Sequence, residues 1–407
     1  VGLVAISATL LAACTTSNTS SSGSGSQGVT DTSIRVGGVV VKTSATGYST
    51  GDTELGAKAR FARANAEGGV NGRTIEFIGA EDDGLDPAKG MTAAKKLVQR
   101  DKVFALVPVS SPVFGGGQFL EQQQVPWFGW ATGPQWCGNK TAFGYNGCLA
   151  PKPGSGSQTW WGNQVAAQLG GAKGKTVWMQ GTDSSGSKYG VQTIGASFTT
   201  AGFTLAGSSA AVPSTAPPQD WLPYVNKIMK SDNGGPPDVV VSVMAGGKFN
   251  TGLYGALKKA GYKGTITDAT SYDPKAIADP ANKQALEGIL AAPMFEPFES
   301  ASPEVAVMKA DIQKVAGPGV VFDQHMAIGY WSADIFLKIA ERAGKDLTRD
   351  SFLTAAASFS YENPGFGTIA YPKDQSEPNG CGALVQLDGD AFTVVQHLKC
   401  FDNVPLK

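Results

Sequence analysis

The chain has 407 residues, 42% of them hydrophobic, enough for two or three packed lobes and too many for a chain disordered as a whole. Its 33 basic and 34 acidic residues leave a net charge of −1, without the basic excess of a nucleic-acid-binding domain. Two histidines exclude a His-rich metal site, and the five cysteines are an odd set.

Residues 1–13, VGLVAISATLLAA, carry no charge and are too short to span a bilayer, which takes about 20 apolar residues. They read as the apolar core of a secretory signal. The run ends in Leu11-Ala12-Ala13-Cys14, which resembles a bacterial lipobox. That resemblance makes residues 1–14 a lipoprotein signal segment with Cys14 as the lipidated residue. Residues 15–32 begin TTSNTSSSGSGSQG and read as a flexible Ser/Gly tether. The body is then expected outside the cell's cytoplasmic membrane, held to its outer face by lipid. Four cysteines remain, and an exported location favours two disulfides among three conceivable pairings. Cys137–Cys148 and Cys381–Cys400 are favoured, because each pair brackets a short loop or hairpin.

From residue 33 strands and helices alternate. Residues 34–41 form a strand apolar on both faces, as a sheet covered on both sides requires. A helix over 53–67 follows, with Asp52 as its N-cap and Gly68-Gly69 as its stop. A strand at 74–78 leads to a helix from Asp86-Pro87 to about residue 100. Strand 104–107, helix 117–124 and strand 125–128 complete a first unit. After a Pro/Gly-rich connection at 144–157 the pattern repeats, with helices at 159–169, 189–201, 221–229 and 249–260. The alternating strands fall at 176–179, 203–206, 238–243, 265–267 and 288–292. Three helices then follow, at 303–315, 323–343 and 348–357, and a short strand at 367–371. Asp388-Gly389-Asp390 closes a final hairpin. The class is α/β, with two doubly wound, Rossmann-like lobes.

This order resembles the type I periplasmic solute-binding proteins, in the branch serving branched-chain amino-acid (Leu/Ile/Val) ABC importers. The likeness rests on IRVGGVVV, on NAEGGVNGR followed by a strand and the acidic Asp82-Asp83 and Asp86-Pro87, and on the lipobox with its tether. It implies three crossovers, near 145–155, 292–297 and 359–367. The first lobe would hold 33–148 and 295–360, the second 149–294 and 361–407. It also implies a small-molecule ligand, an ABC permease as partner, a monomer, no cofactor and no enzymatic activity.

The family grips its ligand from the first lobe with two short segments. The first matches Val109-Ser110-Ser111-Pro112, with Ser111 at the hydroxyl position. The second matches Gly129 to Gly133, with Trp130 at a position giving its carbonyl, Thr132 at one giving hydroxyl and amide, and Ala131 between them. Hydroxyls and backbone amides at helix starts suit an anion, although Ser-Ser-Pro can equally cap a helix. Tyr189 matches a tyrosine that closes from the second lobe, against the alternative of a surface residue opening a helix. Tyr48 would line the mouth. The family's acidic partner for a ligand ammonium falls at Thr270, which cannot neutralise a charge; Asp268 or Asp273 could if the register shifts. The family's ring after the strand at 238–243 falls at Ala245-Gly246, where no ring exists. Both departures point away from an ordinary α-amino acid, towards a carboxylate or amide with an apolar or aromatic body. The indoles of Trp127, Trp130, Trp136, Trp160 and Trp161 cluster near the expected cleft, with Trp127 and Trp178 read as core.

Enzymatic motifs fail in detail. Gly174-Lys175-Thr176 lacks the phosphate-loop glycine, since Leu169 stands five positions before Gly174. No GxSxG is present, and neither His325 nor His397 neighbours a nucleophile. A ligand sensor of the same fold, and a plain branched-chain amino-acid binder, remain as alternatives.

Overall fold

The computed structural model describes residues 1–2 and 26–406. Cys14 therefore lies outside the described residues. Residues 26–32, read as tether, are instead fastened to the body: the Gln27 amide donates to Val98 O (2.9 Å) and Val103 O (3.2 Å), and Arg35 N donates to Gly28 O.

The first lobe runs β1 (Ser33–Val40), α1 (Asp52–Ala66), β2 (Thr74–Asp82), α2 (Pro87–Lys95), β3 (Ala105–Ser110), α3 (Gly117–Gln122), β4 (Trp127–Gly129) and β5 (Ala142–Gly144). Its five strands pair in parallel in the order β2-β1-β3-β4-β5. Central β3, ALVPVS, is buried at every residue, which is why its pattern is a continuous apolar run. Asp86 caps α2 through Ala88 N (2.8 Å) and Lys89 N (3.3 Å), with Pro87 in the first turn. Gly51 rather than Asp52 stands at the N-cap of α1, and Asp52 turns to a lysine of the other lobe.

The second lobe follows: β6 (Gly156–Ser157), α4 (Trp160–Gln168), β7 (Thr176–Thr182), α5 (Ser185–Thr200), β8 (Thr204–Val212), α6 (Leu222–Ile228), β9 (Val239–Val243), α7 (Lys248–Lys259), β10 (Thr265–Asp268), α8 (Pro280–Leu286) and β11 (Leu290–Ala291). The chain then returns to the first sheet with α9 (Pro303–Ala316), α10 (Gln324–Ala343) and α11 (Arg349–Ala356). Helices α1 and α10 cross at glycines: a Cβ on Gly56 would lie 1.8 Å from Met326 O, and one on Gly329 1.9 Å from Thr53 O. That approach admits no side chain at either position.

A two-stranded hairpin, β12 (Ser360–Asn363) and β13 (Gly367–Ala370), precedes β14 (Cys381–Asp388), β15 (Ala391–Cys400) and β16 (Val404–Pro405). The second sheet has the order β8-β7-β9-β10-β11-β14-β15, parallel except at β14 and β15, and β16 pairs with β6. The lobe boundary expected at 360/361 lies too early. Tyr361 OH donates to Asp334 Oδ2 (2.9 Å) on α10, Tyr371 OH to Gly144 O (2.9 Å) on β5, and Gln375 Nε2 to Ala142 O (3.0 Å). Residues 361–375 thus belong with the first lobe, and the last crossover falls at 376–380.

Both disulfides are present. Cys381 and Cys400 stand directly opposite in the β14–β15 register, and Cys137 and Cys148 close the loop around β5. No described helix is long and apolar enough to cross a membrane. Among the described residues no cluster of His, Cys, Asp or Glu is placed to hold a metal ion.

Candidate functional site

A cavity of about 520 Å³ lies between the lobes. Its walls follow from the topology, because parallel strands of one sheet end on the same side and the loops leaving them converge there. From the first lobe come Thr46 and Tyr48 after β1, Asp86 and Lys89 after β2, Val113 after β3, and Trp130 and Thr132 after β4. From the second come Ser184 after β7, Ser214 after β8, Met244 after β9 and Thr270 after β10. Trp161 of α4, Phe249 of α7 and Gln158, between β6 and α4, complete the second wall.

The apolar part is dominated by rings. Trp161 is fully buried, donates its indole N–H to Thr267 Oγ1 (3.0 Å) and stacks on Trp160 at 5.8 Å, so its plane is fixed. Trp130 is 7% exposed, and its indole N–H is buried without a hydrogen-bond partner. Trp130 and Tyr48 both meet the His325 ring edge-on, at 6.1 and 5.9 Å. Burial lowers the His325 pKa to about 4, so the imidazole is neutral at physiological pH. Burial and the Asp83 carboxylate push the Tyr48 phenol well above its ordinary range.

The lobes touch around the cavity, which defines a closed state. Lys275, beyond β10 in the second lobe, forms an ion pair with Asp52 of the first lobe and donates a hydrogen bond to Asp323 Oδ2 (3.0 Å). Burial and the neighbouring Asp52 push Asp323 up to about 8. Burial opposes ionisation of Asp52, but hydrogen bonds with Asp323 and Lys275 outweigh it and hold Asp52 below the usual carboxylate range. Gln324 N also donates to Tyr272 O (3.4 Å), and Lys248 N to Thr46 O (3.4 Å), both across the lobes. Lys275→Met is expected to weaken ligand binding about fivefold, since a half-exposed bridge contributes about 1 kcal/mol to closure. Calorimetry on the variant checks this; an unchanged affinity would show that the bridge does not favour the closed state.

Four of the residues expected at the ligand line the cavity: Tyr48, Trp130, Thr132 and Thr270. Thr132 offers its hydroxyl, whereas its amide already donates to Trp130 O (2.9 Å). The other five do not line it. Ser110 is fully buried at the end of β3, with its carbonyl accepting from Thr50 Oγ1. Ser111 is buried beside it and caps the following turn through Val113 N (3.4 Å), the alternative weighed for Ser-Ser-Pro. Ala131 is buried, its carbonyl accepting from Leu149 N. Tyr189 lies a full turn inside α5, which starts at Ser185, and packs against the first-lobe cluster that includes Phe114 and Trp127. It seals the lobe contact, and its neighbour Gly190 reaches the cavity instead.

Asp268 is fully buried and occupied. It accepts from Tyr254 OH (2.8 Å), Thr270 N (2.6 Å) and Ser271 N (2.6 Å). Burial nonetheless raises its pKa. Trp127 and Trp136 are core, with ring centroids 3.8 Å apart within the first-lobe cluster. Phe249 supplies the ring that Ala245-Gly246 lacks, from the next helix rather than the loop. Sequence reasoning missed Lys89, Phe249 and Gln158. Lys89 was within reach of it, since the Asp86-Pro87 signal marks a helix start just beyond a strand end.

The whole arrangement is that of a two-lobed solute receptor. A sequence profile of the periplasmic binding protein family matches residues 33–391, and the chain belongs to that family, in its type I branch. Solved structures similar to it include a fatty acid ABC transporter substrate-binding protein from Thermomonospora curvata, 18% identical, covering 94% of this chain and 97% of that one, with a TM-score of 0.71. A solute-binding protein from R. palustris in complex with 4-hydroxybenzoate is 17% identical, over 91% of this chain and 97% of that one, TM-score 0.68. A possible leucine/isoleucine/valine-binding protein from Rhodopirellula baltica is 15% identical, over 90% and 96%, TM-score 0.73. At these identities the likeness is one of fold. No curated protein matches the chain.

Proposed function

We propose that this protein captures a small carboxylic acid with an apolar or aromatic body and no free ammonium group, and delivers it to an ABC importer. The observation that carries the reading is the occupation of the cleft's acids. An ammonium buried between the lobes needs a carboxylate partner. Asp268 is held by a phenol and two backbone amides, Asp52 and Asp323 share Lys275, and Asp86, the one acid lining the cavity, caps α2 through Oδ1 and stands one helical turn from Lys89. Thr270 stands where an acid would be required.

The same walls suit an acid. Lys89, in the first turn of α2, and Trp130 and Thr132, in the loop after β4, all line the cavity from the first lobe. They can receive one carboxylate, while Trp161, Phe249 and Met244 take the apolar body. Lipidation at Cys14 would keep the protein at the outer face of the membrane, near its permease. Native mass spectrometry of the purified protein, with identification of the released compound, tests the proposal. A carboxylic acid without an amino group is expected; a retained α-amino acid would refute it.

A further inference from the structure

Gln158 is a polar residue with no structural task. It is 4% exposed, lines the cavity from the second lobe, and its Oε1 is buried without a hydrogen-bond partner. Its neighbours in sequence are all employed. The Ser157 hydroxyl donates to Thr193 O (3.2 Å), the Thr159 hydroxyl to Asp402 O (2.8 Å), and Trp161 to Thr267. A buried carboxamide left unpaired is destabilising, and an apolar residue would line the cavity without that cost. A ligand group is the partner that makes the residue reasonable.

The opposite wall shows the complementary feature. Trp130, from the first lobe, presents a buried indole N–H that also has no partner. Two unpartnered polar side chains thus belong to opposite lobes around one cavity, which is also lined by apolar rings. We infer that Gln158 is a specificity-determining residue, and that the ligand is polar at both ends: a carboxylate on the first lobe and an uncharged hydroxyl against Gln158. A carboxamide presents either a carbonyl or an NH₂ group, so it can accept from a hydroxyl or donate to it. The charged side chains lining the cavity, Asp86 and Lys89, both come from the start of the first-lobe helix α2, so the second-lobe end selects a neutral group. This inference rests on the proposed acid ligand and adds its far end.

The test uses pairs of acids differing by one hydroxyl, benzoate with 4-hydroxybenzoate and hexanoate with 6-hydroxyhexanoate, titrated into ligand-stripped protein and into Gln158→Met. In at least one pair the hydroxylated acid is expected to bind about tenfold or more tighter to the wild type, because a site built for a hydroxyl rejects the analogue lacking it. Gln158→Met should remove that preference while still binding the unsubstituted acid. Equal affinities within each pair, or a preference that survives Gln158→Met, would overturn the role of Gln158 and leave the acid reading standing. Binding of none of the four at millimolar concentration counts against the acid reading and the inference together. Circular dichroism and the melting temperature of Gln158→Met confirm that it folds.

Discussion

Trp130→Ala is expected to weaken ligand binding about 100-fold, the effect of removing a central aromatic wall and its hydrogen-bond donor. Trp130 stands in the loop after β4, lines the cavity and meets His325 edge-on at 6.1 Å. The truncation also leaves a void in a buried cluster, so the unliganded protein should lose about 3 kcal/mol of stability. Trp130→Phe separates the two effects. It keeps a ring against His325 but loses the N–H, and should lower affinity about tenfold with a smaller change in stability. Calorimetry and urea unfolding measure both. Wild-type affinity in Trp130→Ala would remove the indole from the site.

Stability should fall in acid through His325. The folded protein holds this imidazole neutral down to about pH 4, whereas the unfolded chain takes up the proton near 6.5. Between those values the unfolded state binds more protons, so stability rises with pH across the window and is lost as pH falls. The drop from 6.5 to about 4 corresponds to about 3 kcal/mol. Asp323 acts in the opposite sense. Its pKa is raised to about 8, so its contribution is present at low pH and is lost as pH rises through 8. Comparison of wild type with His325→Gln cancels the Asp323 part. Urea unfolding of the ligand-free proteins from pH 4 to 7 should show the two curves separating by about 3 kcal/mol over that range. Parallel curves would mean that the folded ring titrates normally.

Much of the fold was legible because each long element carries its own signal. The continuous apolar runs of β1, β3 and β9 mark strands covered on both faces, and Asp86-Pro87 marks the start of α2. The same Asp-Pro signal occurs at Asp279-Pro280, where Asp279 accepts from Ala281 N and Asn282 N, yet α8, at seven residues, is too short to show a helical period. The short strands β5 and β12 give too few residues for a period to show. The ends of β2 and β8 were cut short because these edge strands are half exposed and carry polar residues.

The site was legible in outline and less so in detail. Strand ends point to the cleft, which places Tyr48, Trp130, Thr132 and Thr270 there. What strand ends do not show is which way each side chain faces. Ser110 and Ser111 look like ligand groups, but both are buried outside the cavity lining. Asp268 looks free until its partner Tyr254 arrives from α7. Tyr189 was displaced by a boundary error, since Ser184 caps α5 well ahead of it.

The cleft is proposed to take an acid and refuse an ammonium. The most direct test is calorimetry on ligand-stripped protein with L-leucine and with 4-hydroxybenzoate, benzoate and the two hexanoates. At least one acid should bind measurably, and leucine should not bind. Tight binding of leucine, with no heat from any of the acids, would contradict it.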